Sequence, residues 1–142
     1  MTYFASVQLR GKIAIADVAN AALAGGVAIG ATCDHASHPS AFVIGIMAGA
    51  LSTYGFAVIQ PKLQGMVKGI DTCGVTNLHG WPGLMGGFVA VFIIDGVSMS
   101  AQVTGIIITV IIALAAGYVT GKVLVGFGRK EKPYEDAEEF LE

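Results

Sequence analysis

The residues with the most chemical capacity lie between Asp71 and Gly87. The run Asp71-Thr-Cys-Gly-Val-Thr-Asn-Leu-His-Gly-Trp-Pro-Gly-Leu-Met-Gly-Gly87 carries one imidazole, His79, into a stretch that otherwise reads as membrane-spanning. An ionisable side chain in hydrocarbon is costly, so His79 marks either function or a satisfied contact. As a contact, the ring would hydrogen-bond to a neighbouring helix and do nothing more. As function, a desolvated imidazole has its charged form disfavoured and stays neutral. A neutral ring both donates and accepts a hydrogen bond, which suits a small polar solute or a proton in transit. Glycines on both sides let other backbone approach it. Asn77 is a polar neighbour. Asp71 opens the segment, where it could attract cations or cap the helix; capping is the simpler role. Trp81-Pro82-Gly83 should bend the helix just beyond His79, because proline removes a backbone donor.

A second cluster, Cys33-Asp34-His35-x-x-His38, gathers a thiol, a carboxylate and two imidazoles. Borderline metals such as zinc or copper accept such ligands. The run is short, lies between apolar segments and has no second pair at zinc-finger spacing. Solvated loop histidines account for it, and neither a metal nor any other cofactor is expected. Cys33 and Cys73 are expected at opposite ends of their helices, too far apart to bridge.

Composition sets the frame that holds these groups. Of the 142 residues, 54% are hydrophobic and only 13% charged, with a mean hydropathy of +0.71. Soluble domains carry about 25% charged residues. Four apolar segments separate, at 13–32, 41–59, 76–94 and 101–123. Each is long enough to cross about 30 Å of hydrocarbon as a helix. No strict alternation suggests a β-barrel. The breaks, at 34–39, 61–69 and 95–100, carry turn chemistry. The expectation is an all-α membrane protein with four transmembrane helices embedded in a lipid bilayer.

Charge gives the orientation. Arg10, Lys12, Lys62, Lys68, Lys122, Arg129, Lys130 and Lys132 all fall on one side of four crossings. The positive-inside rule then predicts a multi-pass protein of the cell membrane with both termini cytoplasmic. Residues 1–12 read as a cytoplasmic start, 13–127 as the transmembrane portion and 128–142 as an acidic cytoplasmic tail. That tail holds six of the ten acidic residues, and 134–141 could form a short amphipathic helix that docks a partner. A net charge of −2 without a basic, aromatic-interleaved cluster argues against nucleic acid. No nucleophile–base pairing, P-loop or dinucleotide fingerprint points to an enzyme. Each apolar segment carries a Gly-x-x-x-Gly pair: Gly26/Gly30, Gly45/Gly49, Gly83/Gly87 and Gly117/Gly121. Such pairs let helix backbones pack closely in lipid, although glycine is common in membrane helices by composition alone.

Asp71-Thr72-Cys73-Gly74, Asn77-Leu78-His79-Gly80, Pro82-Gly83 and Gly86-Gly87 together resemble the late pore-lining helix of the Rhesus (Rh) branch of the ammonium transporter superfamily. Residues 20–28, Asn-Ala-Ala-Leu-Ala-Gly-Gly-Val-Ala, resemble an earlier helix of the same half, and Ser52-Thr53-Tyr54-Gly55-Phe56 the helix between. Thr2-Tyr3-Phe4 is similar to the start of a preceding helix. The resemblance implies a trimeric ammonia/ammonium channel with one pore per subunit and no cofactor. It implies that His79 is the second of the family's paired pore histidines, and that these helices are the last of the family's bundle. The first pore histidine, the phenylalanine gate and the recognition aspartate of that family have no counterpart among these residues. The chain is similar to the carboxy-terminal third of an Rh protein, whether as a fragment, a truncated gene or half of a split transporter. Two functions follow. One is part of an ammonia channel, incomplete without the amino-terminal half, with that half or a homotrimer of the chain as its partner. The other is a non-transporting assembly or interaction subunit, or an inactive truncated homologue.

Overall fold

Helix starts and stops follow local chemistry. In a computed structural model, which describes residues 1–71 and 73–128, α1 spans Thr2–Arg10. Gly11 closes it in the left-handed conformation (φ 74°), its N–H bonding Val7 O at 2.8 Å. Glycine reaches that conformation without a Cβ penalty. Next comes α2, Ile15–Gly30, followed by a single tight turn at Cys33–His35. Ser37 caps α3, His38–Tyr54, accepting the Ser40 N–H at 3.3 Å, and Pro39 occupies the first turn, where no donor is required. The last helix, α6, spans Met99–Gly126 behind Ser98, whose Oγ accepts the Ala101 N–H at 3.4 Å.

Two widened π turns carry the middle of the chain through its prolines. One, Gly55–Ile59, links α3 to α4, Gln60–Val67; the other, Thr76–Gly80, leads into α5, Trp81–Ile93. The Gln60 N–H reaches back to Gly55 O, and the Trp81 N–H to Thr76 O. Each widened turn resets the hydrogen-bond ladder just before Pro61 or Pro82, so the missing proline donor falls at the start of a new helix. The turn expected at 61–69 therefore does not begin at Pro61: the helix continues to Val67 and stops at Lys68, in the left-handed region (φ 51°). The bend expected beyond His79 is likewise a π turn that contains His79.

The described residues hold helices and no strand. Two helical stretches, His38–Val67 and Met99–Gly126, are long and apolar enough to cross a membrane. Ile15–Gly30 is apolar but has 16 residues, shorter than the segment expected at 13–32, because Ala14 is extended and the chain turns after Ala31. The expected helix at 134–141 lies outside the described residues.

Residues 1–106 form one compact unit, in which α2 packs on α3 and α5 while α1 lies on α3. Its core is made of small side chains: Ala21, Ala24, Ala28, Ala48 and Ala90, with Ile44 the one large aliphatic residue buried with them among the described residues. Ile29, Met85, Val89 and Ile93 pack around Ala28, Ile44 and Ala48. Large apolar side chains such as Phe42, Met47, Phe88 and Phe92 point outward instead. That inversion suits a solvent of lipid, where packing of small residues rather than hydrophobic burial joins helices. The second unit consists, among described residues, of the rest of α6 and the two residues after it; Ile107, Ile111, Leu114, Tyr118 and Leu124 are exposed on it.

Candidate functional site

The start of the His79 segment is built by a carboxylate, a glycine and a glutamine. Asp71 accepts the N–H groups of Val75 (2.8 Å) and Thr76 (3.0 Å), satisfying donors that a helix start leaves free. Gly74 adopts φ 66°, and a Cβ there would overlap the Phe56 ring. Gln60, from α4, spans the turn: its Nε2 donates to Asp71 O at 2.6 Å and its Oε1 accepts from Asn77 Nδ2 at 2.7 Å.

That bracket sorts the polar residues onto two sides. Asn77 is fully buried, with Oδ1 against Gly55 at a spot that a Cβ on Gly55 would need. His79, two residues on, is exposed and has no hydrogen-bond or ion-pair partner among the described residues. Two residues of helix rotate a side chain by roughly half a turn. Thus Asn77 holds the segment to its neighbour, while His79 faces away from the helices packed within residues 1–106. The expected desolvation of His79 is not supplied by residues 1–106.

The expected glycine pairs separate in the same way. A Cβ on Gly49 would meet Thr2 and Ala21, one on Gly83 would touch Val27 at 3.7 Å, and one on Gly87 would press on Ile106 at 3.3 Å. Gly26, Gly30 and Gly45 have nothing within 4 Å in that direction, although the Gly45 Cα itself lies 3.8 Å from a Cβ placed on Gly25. Gly117 and Gly121 lie in the second unit and are exposed. The tightest backbone approach involves Gly86, where a Cβ would overlap the Ala28 carbonyl.

In the loop cluster, Cys33 Sγ donates to Gly30 O at 2.7 Å, His35 Nε2 lies 3.8 Å from Asp34 Oδ1, and His38 opens α3. Among the described residues, no three metal-ligating side chains gather. Both cysteines are free.

A buried ion pair was not anticipated from the sequence. Asp17 is 0% exposed and accepts from Ser6 Oγ (2.7 Å), Arg10 Nε (2.8 Å) and Arg10 Nη2 (3.0 Å). The available signal was a carboxylate near the start of an otherwise apolar segment. The two-pronged contact suits the planar guanidinium. Arg10 also lies 5.6 Å from the centroid of Phe56, the ring beneath Gly74. One contact path thus runs from Asp17 to the turn that begins the His79 segment.

Known proteins resemble this chain in sequence and in fold. The profile of the Ammonium Transporter Family matches residues 1–132. Ammonium transporter Rh type A of Bos taurus is 36% identical over 124 residues, covering 83% of this chain and 29% of that protein. Ammonium transporter Rh type C of Macaca mulatta is 31% identical over 160 residues, covering 90% of this chain and 33% of its own. A solved structure of Nitrosomonas europaea Rh50, of the Rhesus protein family of channels, is 51% identical with a TM-score of 0.89, covering 99% of this chain and 37% of that one. The chain belongs to the ammonium transporter family, in its Rhesus branch, and is a membrane protein. It spans about a third of the length of these relatives.

Proposed function

We propose that the chain forms part of the wall of a transmembrane pathway for ammonia or ammonium, with His79 lining it and helices outside these 142 residues completing it. The observation that carries this reading is the split between Asn77, buried against its own bundle, and His79, exposed on the other side of the same apolar segment. A family that transports ammonium gives the open face its chemistry. A neutral imidazole offers one donor and one acceptor, so ammonia can be handed along by hydrogen bonds without stranding a charge in hydrocarbon. Asp71 serves this site as the cap of the His79 segment, and Asn77 as its bracket.

The topology belongs to the same reading. Four segments cross the cell membrane, both termini lie in the cytoplasm, and the assembled channel is a homotrimer. The clustering of all basic residues on one side supports this orientation. Residues 1–12 begin on the cytoplasmic side and 128–142 form a cytoplasmic tail.

Ammonia flux tests the role of His79. The chain is reconstituted into liposomes with a trapped pH dye, alone and together with the amino-terminal helices of an Rh protein, and challenged with ammonium salt. The chain alone should pass little ammonia. In the reassembled channel, His79→Ala should change flux more than His35→Ala or His38→Ala, both outside the apolar segments. Flux through the chain alone at a rate indifferent to His79→Ala would sink both the shared pore and the histidine's role. A reassembled channel indifferent to His79→Ala would favour the assembly-subunit reading.

A further inference from the structure

Three polar atoms of α3 and the His79 segment are buried without partners among the described residues. On α3, Ile44, Ala48 and Ser52 recur every four residues and are 3%, 0% and 1% exposed. On the facing helix, Met85, Val89 and Ile93 pack around the cluster of Ala28 from α2 and Ile44 and Ala48 from α3, and Trp81 precedes that stripe by four residues. The next contact towards the far end joins Gly55 to Asn77. With α3 packed on α5 and Gly55 against Asn77, the two helices run antiparallel, so Ser52, three residues before Gly55, and Trp81, four residues after Asn77, lie on the same side of that contact. Ser52 Oγ, Asn77 Oδ1 and Trp81 Nε1 are all buried, and none has a hydrogen-bond partner among the described residues.

The amide orientations follow from their partners. Asp71 O can only accept, so Gln60 must present Nε2 to it. Gln60 Oε1 then accepts from Asn77 Nδ2, which leaves Asn77 Oδ1 as the acceptor turned to Gly55. Trp81 supplies a donor only, Asn77 Oδ1 an acceptor only, and the Ser52 hydroxyl either.

We infer that Ser52, Asn77 and Trp81 form an internal binding site for one small neutral molecule that both donates and accepts hydrogen bonds: water or ammonia. Such a molecule accepts from the indole and donates to the amide oxygen, with its third bond to the hydroxyl. Buried polar groups without protein partners are commonly joined by a molecule making about three such bonds. Ammonium is excluded because it has no lone pair for the indole N–H, and carbon dioxide because it has no hydrogen for Asn77. Asn77 and Trp81 each lie two residues from His79, which turns them roughly to the opposite side of the helix. The site is thus on the buried side, away from the proposed pathway. Only the ammonia arm draws on the proposed function; the water arm does not.

The chain has one tryptophan, so its indole N–H gives one resonance. The test uses the full chain with 15N-labelled tryptophan in lipid nanodiscs. A cross-relaxation peak between the indole proton and water is expected, and its loss in Ser52→Ala. Ammonium chloride is then added at alkaline and at acidic pH, at equal total salt. A shift of the resonance that follows ammonia, and is absent in acid, assigns ammonia to the site; no shift, with the water peak retained, assigns water. A folded wild-type chain showing neither a water peak nor an ammonia-dependent shift overturns the inference. So does a water peak unchanged in folded Ser52→Ala. The wild-type measurement decides by itself if Ser52→Ala does not fold. Because none of these readouts is flux, a failure of the conduction test leaves this site standing, and the reverse.

Discussion

Removing Arg10 should cost more than neutralising Asp17, although the two share one ion pair. Asp17 is fully buried, whereas the Arg10 side chain is 31% exposed. Arg10→Ala strips two of the three hydrogen bonds from the carboxylate and leaves it with Ser6 Oγ at 2.7 Å. Breaking a fully buried pair from one side costs about 3–5 kcal/mol. Partial access of water to this pair brings the figure to about 3 kcal/mol, of which the lost contact with Phe56 contributes about 0.5–1 kcal/mol. Asp17→Asn keeps an acceptor for Ser6 and for one prong of Arg10, and the guanidinium can turn towards water. Its cost is about 1–2 kcal/mol, the loss of charge assistance from a hydrogen-bonded pair. Equilibrium unfolding of the chain in mixed micelles, driven by increasing anionic detergent and followed by circular dichroism, measures both. The Arg10→Ala, Asp17→Ala double-mutant cycle should give a coupling of about 2 kcal/mol. Asp17→Asn proving as costly as Arg10→Ala, or a coupling below about 0.5 kcal/mol, would refute the argument that the buried partner sets the penalty.

Two further outcomes follow from the packing and the topology. Gly86→Ala should destabilise the same micellar chain by about 1–3 kcal/mol, because the new methyl overlaps the Ala28 carbonyl and pushes α2 from α5; Gly26→Ala, with open space around it, should be neutral or stabilising by up to about 1 kcal/mol through helix propensity. The same order of unfolding midpoints in reverse would contradict the assigned helix contact. Ser37 and Ser98 are exposed caps of α3 and α6, so Ser37→Cys and Ser98→Cys, in a background lacking the two free cysteines, should both react with an impermeant thiol reagent added outside intact cells. Reaction of either from the cytoplasmic side alone would overturn the proposed orientation.

Much of this molecule was legible from residue order because its solvent is unusual. A chain with 13% charged residues and long apolar runs must satisfy its backbone within helices, so helical class and approximate helix positions follow from composition and turn residues. The Asp71–Gly87 signature carried the family, and Asp71 could be read as a cap because capping is a local interaction. Prolines were harder. Pro61 and Pro82 read as breaks, yet each follows a π turn, and whether a helix widens or stops depends on what packs across it. Which glycines meet a neighbour was equally beyond a Gly-x-x-x-Gly count. Spacing places Gly83 and Gly87 on one face, but only the position of α2 singles out Gly86 as the backbone contact. The Arg10–Asp17 pair required α1 to fold back beside α2, an event that no local pattern specifies. His79 joins both kinds of knowledge. Its type and surroundings marked it as a candidate in the sequence. The Asn77–Gln60 contact, formed between segments 17 residues apart, then decided which way it faces, because a helix anchored on one polar side must present the other.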